Sequence, residues 1–261
     1  MNHIPRKRFG QNFLRDDTVV HRIVMAVNPR PGDHLVEIGP GEGVMTAALL
    51  GRSARLDAIE IDRDLVARLS QRFAERPGFR LHAADALKFD IAGLSEGGKL
   101  RIVGNLPYNI STPLLFHLLA AADRIEDMHF MLQREVVDRL CAGPGEPDYG
   151  RLSLMAQYRC RAEKLFEVPP ESFQPPPRVM SAVVRLTPHA EPPVTADAVT
   201  LGQVVAAAFA QRRKTLRNAL RHLLDEADLL AAGIDPGARA ETLDLAAFAG
   251  LARRLSQRQN P

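Results

Sequence analysis

Between residues 34 and 133 the chain alternates short, mostly apolar runs with stretches in which apolar residues return every three or four positions. The runs at 35–38, 56–61, 79–83, 100–103 and 128–133 have the length of strands. Each is mostly apolar, with one or two polar residues set into it, and reads as a buried strand. The intervening stretches at 46–50, 64–73 and 113–121 predict helices; in 64–73, Leu65, Val66, Leu69 and Phe73 gather on one side. Ahead of the first strand, Asp16-Asp17-Thr18 offers helix caps for 19–27, and the segment 28–32, with two prolines and a glycine, ends that helix. Strand and helix in alternation predict a parallel sheet with helices on both faces.

Beyond residue 134 the pattern changes. Residues 135–141 and 151–160 read as helices around a Gly/Pro loop at 143–147. Two further strands, 164–168 and 182–186, flank the proline-dense connection 169–177. That connection has no crossover helix, so the two strands predict an antiparallel hairpin at the sheet edge. Residues 189–198 read as a linker, and from 199 to 261 the pattern is helical, with breaks at Gly233 and Pro236. The expected organisation is an α/β domain over 1–188, the linker 189–198 and a small all-helical domain over 199–261.

Composition adds exclusions. Apolar residues make up 46% and charged residues 25% of 261, an ordinary globular balance, and the formal charge is +3. Cys141 and Cys160 cannot form a disulfide framework or a four-cysteine zinc site, and read as free thiols of a reducing cytoplasm. The histidines are scattered, so no metal site is expected. No signal peptide and no membrane span are visible.

The strand ends carry the chemistry. The first runs into Glu37-Ile38-Gly39-Pro40-Gly41-Glu42-Gly43, glycines that let backbone approach a nucleotide-like ligand or simply make a tight turn. Glu60 ends the second strand, where a carboxylate can meet a ribose diol. Asp85 follows the third, where it can accept from an adenine amine or cap its own turn. Both NAD and S-adenosylmethionine carry a ribose diol. The dinucleotide fingerprint places its third glycine three positions after the second, whereas Gly43 follows Gly41 by two. An acidic pocket also suits a sulfonium better than a pyrophosphate. The fourth strand ends in Gly104-Asn105-Leu106-Pro107-Tyr108-Asn109. Asn105 can exchange hydrogen bonds with a planar amine, Pro107 fixes the turn, and Tyr108 offers a face for a base. An ordinary strand-to-helix turn favours the same Asn and Pro. Near the carboxyl end, Arg212, Arg213 and Lys214 precede Arg217 and Arg221. On a helix, Arg213, Arg217 and Arg221 would share a face, either a solvated surface or a stripe for phosphates.

These motifs, with Phe9-Gly10-Gln11-Asn12-Phe13-Leu14, Val168-Pro169-Pro170, Phe173 to Pro177 and Arg212 to Asn218, resemble the ribosomal RNA small-subunit adenine dimethyltransferases, the KsgA (RsmA) family, over nearly the whole chain. The resemblance implies a Rossmann-like class I methyltransferase sheet with a small all-helical carboxyl-terminal domain that binds RNA. It implies S-adenosyl-L-methionine as cofactor. Asn12 and Leu14 would close the donor site, Gly39 would lie under the donor, Glu60 would bind its ribose and Asp85 its adenine amine. Asn105 would line both donor and target sites. Asn105, Leu106, Pro107, Tyr108 and Phe173 would form the catalytic set: the Asn105 side-chain oxygen and the Leu106 carbonyl accept from adenine N6, while Tyr108 and Phe173 stack on the base. Arg212, Arg213, Lys214, Arg217 and Arg221 would meet RNA phosphates. The implied substrate is a pair of adjacent adenosines in the loop of the 3′-terminal hairpin of 16S rRNA, in a pre-30S particle, modified by a cytoplasmic monomer without membrane or metal. Two rival readings are a resistance-type methyltransferase of large-subunit RNA and an assembly factor acting mainly by RNA binding. A nicotinamide-dependent oxidoreductase is disfavoured by the glycine spacing.

Overall fold

Except between residues 83 and 100, where only a short 3-10 turn intervenes, helix and strand alternate from Asp17 to Gln133 in a computed structural model that describes residues 11–53, 55–211 and 213–259. A two-residue strand, β1 (Phe13–Leu14), precedes α1 (Asp17–Val27). Asp16 caps α1, its Oδ1 accepting from the amides of Thr18 (2.9 Å) and Val19 (3.3 Å). Val19, Val20, Ile23, Val24 and Val27 form the buried side of this helix. Each such side chain stabilises the fold by about 1.5–3 kcal/mol relative to exposure. Next come β2 (His34–Ile38), α2 (Val44–Leu50), β3 (Arg55–Glu60), α3 (Arg63–Arg72), β4 (Phe79–Ala83), β5 (Leu100–Asn105), α4 (Ser111–Ala120) and β6 (Ile125–Gln133). The chain continues through α5 (Arg134–Cys141) and α6 (Arg151–Arg159) to β7 (Cys160–Val168), β8 (Phe173–Gln174) and β9 (Ser181–Pro188).

Seven strands form one sheet in the order β4-β3-β2-β5-β6-β9-β7. The pairs β3·β4, β2·β3, β2·β5 and β5·β6 are parallel, and β9 runs antiparallel to β6. The expected strands at 164–168 and 182–186 are neighbours at the edge, as β7 and β9. From β2 the chain builds outward first to one side and then to the other, so the crossovers diverge between β2 and β5. Such a switch point leaves a crevice at the carboxyl ends of the strands. Position 104 tightens this junction: a Cβ on Gly104 would lie 2.7 Å from the Ile38 carbonyl oxygen.

At the opposite edge, Arg101 of β5 is 6% exposed. It donates to Asp127 through Nε (3.0 Å) and Nη2 (2.7 Å), and to Asp33. It also donates to the carbonyls of Val27 and Asn28, where α1 ends. One guanidinium thus ties β5, β6 and the end of α1 together.

The described residues fall into two compact units. One runs to Val137 and includes Arg161–Pro188; the other comprises Asp138–Cys160 and the chain from His189 onward. The segment 138–160, expected in the first domain, therefore packs with the second, and so does the expected linker. Tyr149 shows why: its ring is 3% exposed in that unit's core and its hydroxyl donates to the Leu243 carbonyl at 2.9 Å. The second unit is helical, with α7 (Ala198–Phe209), α8 (Leu216–Leu220), α9 (Glu226–Ala231) and α10 (Leu245–Gln259) around Val204, Val205, Phe248 and Leu251.

The expected continuous helical stripe of arginines is not formed. Arg213 and Lys214 lie in a turn, and only Arg217 is inside the five-residue α8; Arg221 follows its end. Thr215 is the N-cap of α8 and bridges to Arg239, a contact distant in sequence, so the helix begins only at Leu216. Arg212 lies outside the described residues. Arg213, Lys214, Arg217 and Arg221 are all exposed, and Arg217 is paired with Glu226 at 3.3 Å.

Replacing Arg101 with Ala should lower stability by about 3–5 kcal/mol, because Asp33 and Asp127 would lose their shared cation in a poorly solvated place. Urea unfolding measures it; a loss below about 1 kcal/mol would show that the network does not hold the fold.

Candidate active site

Where β2, β3 and β5 end, a cavity of about 220 Å³ opens. Gly39 and Gly41 follow β2, Glu60 and Ile61 stand at the end of β3, 84–87 follow β4, and 105–110 close β5 and lead to α4. Residues 11–13 complete the wall. Of the residues singled out from sequence, Asn12, Gly39, Glu60, Asp85, Asn105, Leu106, Pro107 and Tyr108 line this one cavity. Leu14 lines a smaller cavity of about 40 Å³, which shares Phe13, Gly39, Gly41 and Asn105 with the first and reaches Glu37.

The carboxylates are held differently. Glu60, 6% exposed, accepts from the amides of Ile61 and Asp62 (both 2.9 Å) and Gly41 (3.3 Å). Burial raises its pKa, and those three amides work against the rise. Asp85 accepts from the Leu87 amide at 3.0 Å through Oδ1, while its Oδ2 has no partner among the described residues. Turn capping and ligand binding are therefore compatible at Asp85, one oxygen for each. Glu37 is 1% exposed. Thr46 Oγ1 donates to its Oε2 at 2.6 Å, and its Oε1 is buried without a partner. Burial pushes the Glu37 carboxyl up to about 7, the Thr46 bond opposes this, and the nearby Glu60 charge adds to it. Neither Glu37 nor Thr46 was singled out as a site residue from sequence, since a buried strand-end Glu reads like part of its glycine turn.

The amino-terminal segment is strapped across this edge. Gln11 Nε2 donates to Asp62 Oδ2 at 3.1 Å. β1 pairs with β8, Phe13 opposite Gln174 and Leu14 opposite Phe173, and the Arg15 amide donates to the Ser172 carbonyl at 2.8 Å. The Phe13 ring lies 3.0 Å from where a Cβ on Gly41 would stand, and Gly41 has φ +59°, so both the contact and the backbone favour glycine. Asn105 Nδ2 donates to the Asn12 carbonyl at 3.0 Å. With its amide nitrogen so used, Asn105 turns its Oδ1 into the role of acceptor.

Tyr108 stands half-buried at the cavity, its hydroxyl 2.6 Å from Ser181 Oγ. Phe173 does not join it. Its ring is 3% exposed in the core with Leu14, Val20 and Val183, and it does not line the cavity. The expectation of a second stacking face from Phe173 is corrected accordingly: pairing with β1 commits the ring to the core side of the short ribbon.

The donor set fits S-adenosylmethionine. Glu60 and the free Oδ2 of Asp85 are acceptors for a diol and an amine. Ile61, Leu65, Ala86 and Leu87 supply apolar walls for a flat base; Ile61 keeps 47% of its surface exposed. Glu37 Oε1, buried without a partner at the adjoining 40 Å³ cavity, is an open acceptor. No Arg or Lys among the described residues lines the cavity. Among the described residues no cluster of His, Cys, Asp and Glu could hold a metal ion, and no helix is long and apolar enough to cross a membrane.

Comparison with known proteins agrees with this geometry. The sequence profile of the family described as "Ribosomal RNA adenine dimethylase" matches residues 2–257. "Ribosomal RNA small subunit methyltransferase A" of Methylococcus capsulatus is 63% identical over 98% of this chain and 100% of its own length. The protein of that name from Pseudomonas aeruginosa is 60% identical, over 98% of this chain and 96% of its own. Among solved structures, the 23S rRNA methyltransferase ErmE superposes with TM-score 0.73 at 27% identity, covering 94% of this chain and 100% of that one. A dimethyladenosine transferase from Plasmodium falciparum superposes with TM-score 0.78 at 22% identity, covering 95% and 98%, and supports the fold. The chain belongs to the ribosomal RNA adenine dimethylase family, enzymes that dimethylate adenine in ribosomal RNA with S-adenosylmethionine as methyl donor.

Proposed function

We propose that this chain dimethylates N6 of two adjacent adenosines in the loop of the 3′-terminal hairpin of 16S rRNA, within a pre-30S particle, as a cytoplasmic monomer. The observation that carries the reading is the Asn105 amide, tied by Nδ2 to the Asn12 carbonyl beside Tyr108. Asn105 Oδ1 is thereby an acceptor for an exocyclic amine, with the Leu106 carbonyl as the second. Two acceptors on N6 draw its lone pair out of conjugation with the ring, making the nitrogen more nucleophilic. Tyr108 holds one face of the base, a contact worth about 1–3 kcal/mol. When bound, the donor supplies an already activated methyl group on a sulfonium. The chain's part is placement, which can lower a barrier by several kcal/mol. Glu60 would hold the ribose, Asp85 the adenine amine and Glu37 the ammonium. Loop adenosines suit the cavity because they are cheaper to extrude than paired ones. The exposed Arg213, Lys214, Arg217 and Arg221 of the helical unit support a phosphate-binding role there.

Labelled S-adenosylmethionine and small subunits lacking the modification should yield label on adjacent adenosines of 16S rRNA. Label confined to large-subunit RNA would reject the reading. Glu60→Ala should weaken donor binding about ten- to a hundredfold by calorimetry, the scale of hydrogen bonds to a charged group; unchanged affinity would remove Glu60 from the ribose site. Glu37 gives a pH signature in the protein without donor. Its folded pKa of about 7 lies above the ordinary 4.5, so burial penalises its charged form. Stability should therefore be highest at low pH with respect to this group and fall as pH rises from about 4.5 to about 7. Glu37→Gln should remove that decline in urea unfolding followed across the range; a slope that persists would show that the titration belongs to other groups.

A further inference from the structure

Ser181 is a buried hydroxyl that neither the sheet nor the donor site requires. It is 0% exposed and is the first residue of β9, paired with Gln133 at the end of β6. Because β9 is antiparallel to β6, its beginning lies at the edge where the parallel strands end. That places Ser181 Oγ 2.6 Å from the Tyr108 hydroxyl. Buried hydroxyls are almost always bonded, and this is the bond Ser181 makes. At its other end Tyr108 is also held, since Ser111 Oγ, on a residue 2% exposed, donates to the Tyr108 carbonyl at 3.2 Å. The ring is therefore pinned at its backbone and at its phenol oxygen, by two serines from opposite sides of the turn.

We propose that Ser181 is a positioning residue for the target base: its hydrogen bond to the Tyr108 hydroxyl sets the plane of the ring on which the adenine stacks. The inference rests on the reading of Tyr108 as a base platform. A ring that could swing between rotamers would lose that freedom on each encounter with RNA. A ring already held loses nothing, and binding is stronger by that difference. Ser181 touches neither donor nor target in this scheme, so its effect should appear in RNA-dependent steps alone.

The test uses the full chain with Ser181→Ala, Ser181→Cys and Tyr108→Phe. Each should lower kcat/KM for unmodified small subunits roughly three- to tenfold, the scale of one neutral hydrogen bond, with donor affinity by calorimetry unchanged. Ser181→Ala in the Tyr108→Phe background should cost nothing further, because the bond is already gone. A readout independent of activity comes from 3-fluorotyrosine labelling: the chain has 3 tyrosines, so fluorine NMR resolves Tyr108 by its loss in Tyr108→Phe. Without RNA, that resonance should shift and change width in Ser181→Ala. Additive losses in the double variant, or an unchanged Tyr108 resonance, would overturn the proposal. So would Ser181→Cys behaving as wild type while Ser181→Ala loses activity, which would assign the effect to packing. Tyr108→Ala separates the two levels of the argument. If it retains full activity, the platform reading itself fails; if it loses activity while Ser181→Ala does not, the platform stands and the role of Ser181 falls.

Discussion

The absence of a side chain at position 104 is the constraint on which the site depends. β2 and β5 are adjacent in the sheet but far apart in the chain, and they carry the glycine turn and the Asn-Leu-Pro-Tyr turn respectively. A methyl group on Gly104 would press into the Ile38 carbonyl at 2.7 Å and push the two turns apart. The two turns share this junction, and Gly39 from one and Asn105 from the other line the same cavity. Nucleophile and methyl group must approach to within about 3–3.5 Å. Spreading the strands by even part of an ångström would act directly on that distance.

Charge is segregated along the strands. At the amino ends a single guanidinium binds two carboxylates and two carbonyls, a closed network with a purely architectural outcome. At the carboxyl ends Glu60 is held by backbone amides and Glu37 by the Thr46 hydroxyl, and one oxygen of Glu37 has no partner among the described residues. The first arrangement is complete in the protein alone. The second leaves an acceptor open, so the same residue types close a network at one edge and leave one incomplete at the other.

Much of this was legible in the chain because the relevant signals are local. Short, mostly apolar runs located the parallel strands, and acids or amides at their ends drew attention to Glu60, Asp85 and Asn105. What escaped depends on long-range pairing. The two-residue β1 has no periodicity to detect, so the inward turn of Phe173 could not be foreseen. Arg213 to Arg221 has helical spacing, but Thr215 is captured by Arg239 and the helix shortens. Ser181 lies one residue ahead of an apolar run, at the start of an antiparallel strand, whereas attention to parallel sheets favours strand ends. Residues 138–160 read as a continuation of the α/β pattern, yet their apolar side chains find partners after residue 189.

The strap has a consequence for the timing of biosynthesis. Residues 13 and 14 leave the ribosome among the earliest, but their partners at 173 and 174 follow some 160 residues later. During that interval β2 to β6 can assemble as a local, sequential series. Gln11 can reach Asp62 early, but the strand pairing that holds the segment bearing the Asn12 carbonyl can form only after β8 has emerged. Closure of this edge of the cavity by strand pairing therefore waits until most of the chain has been synthesised.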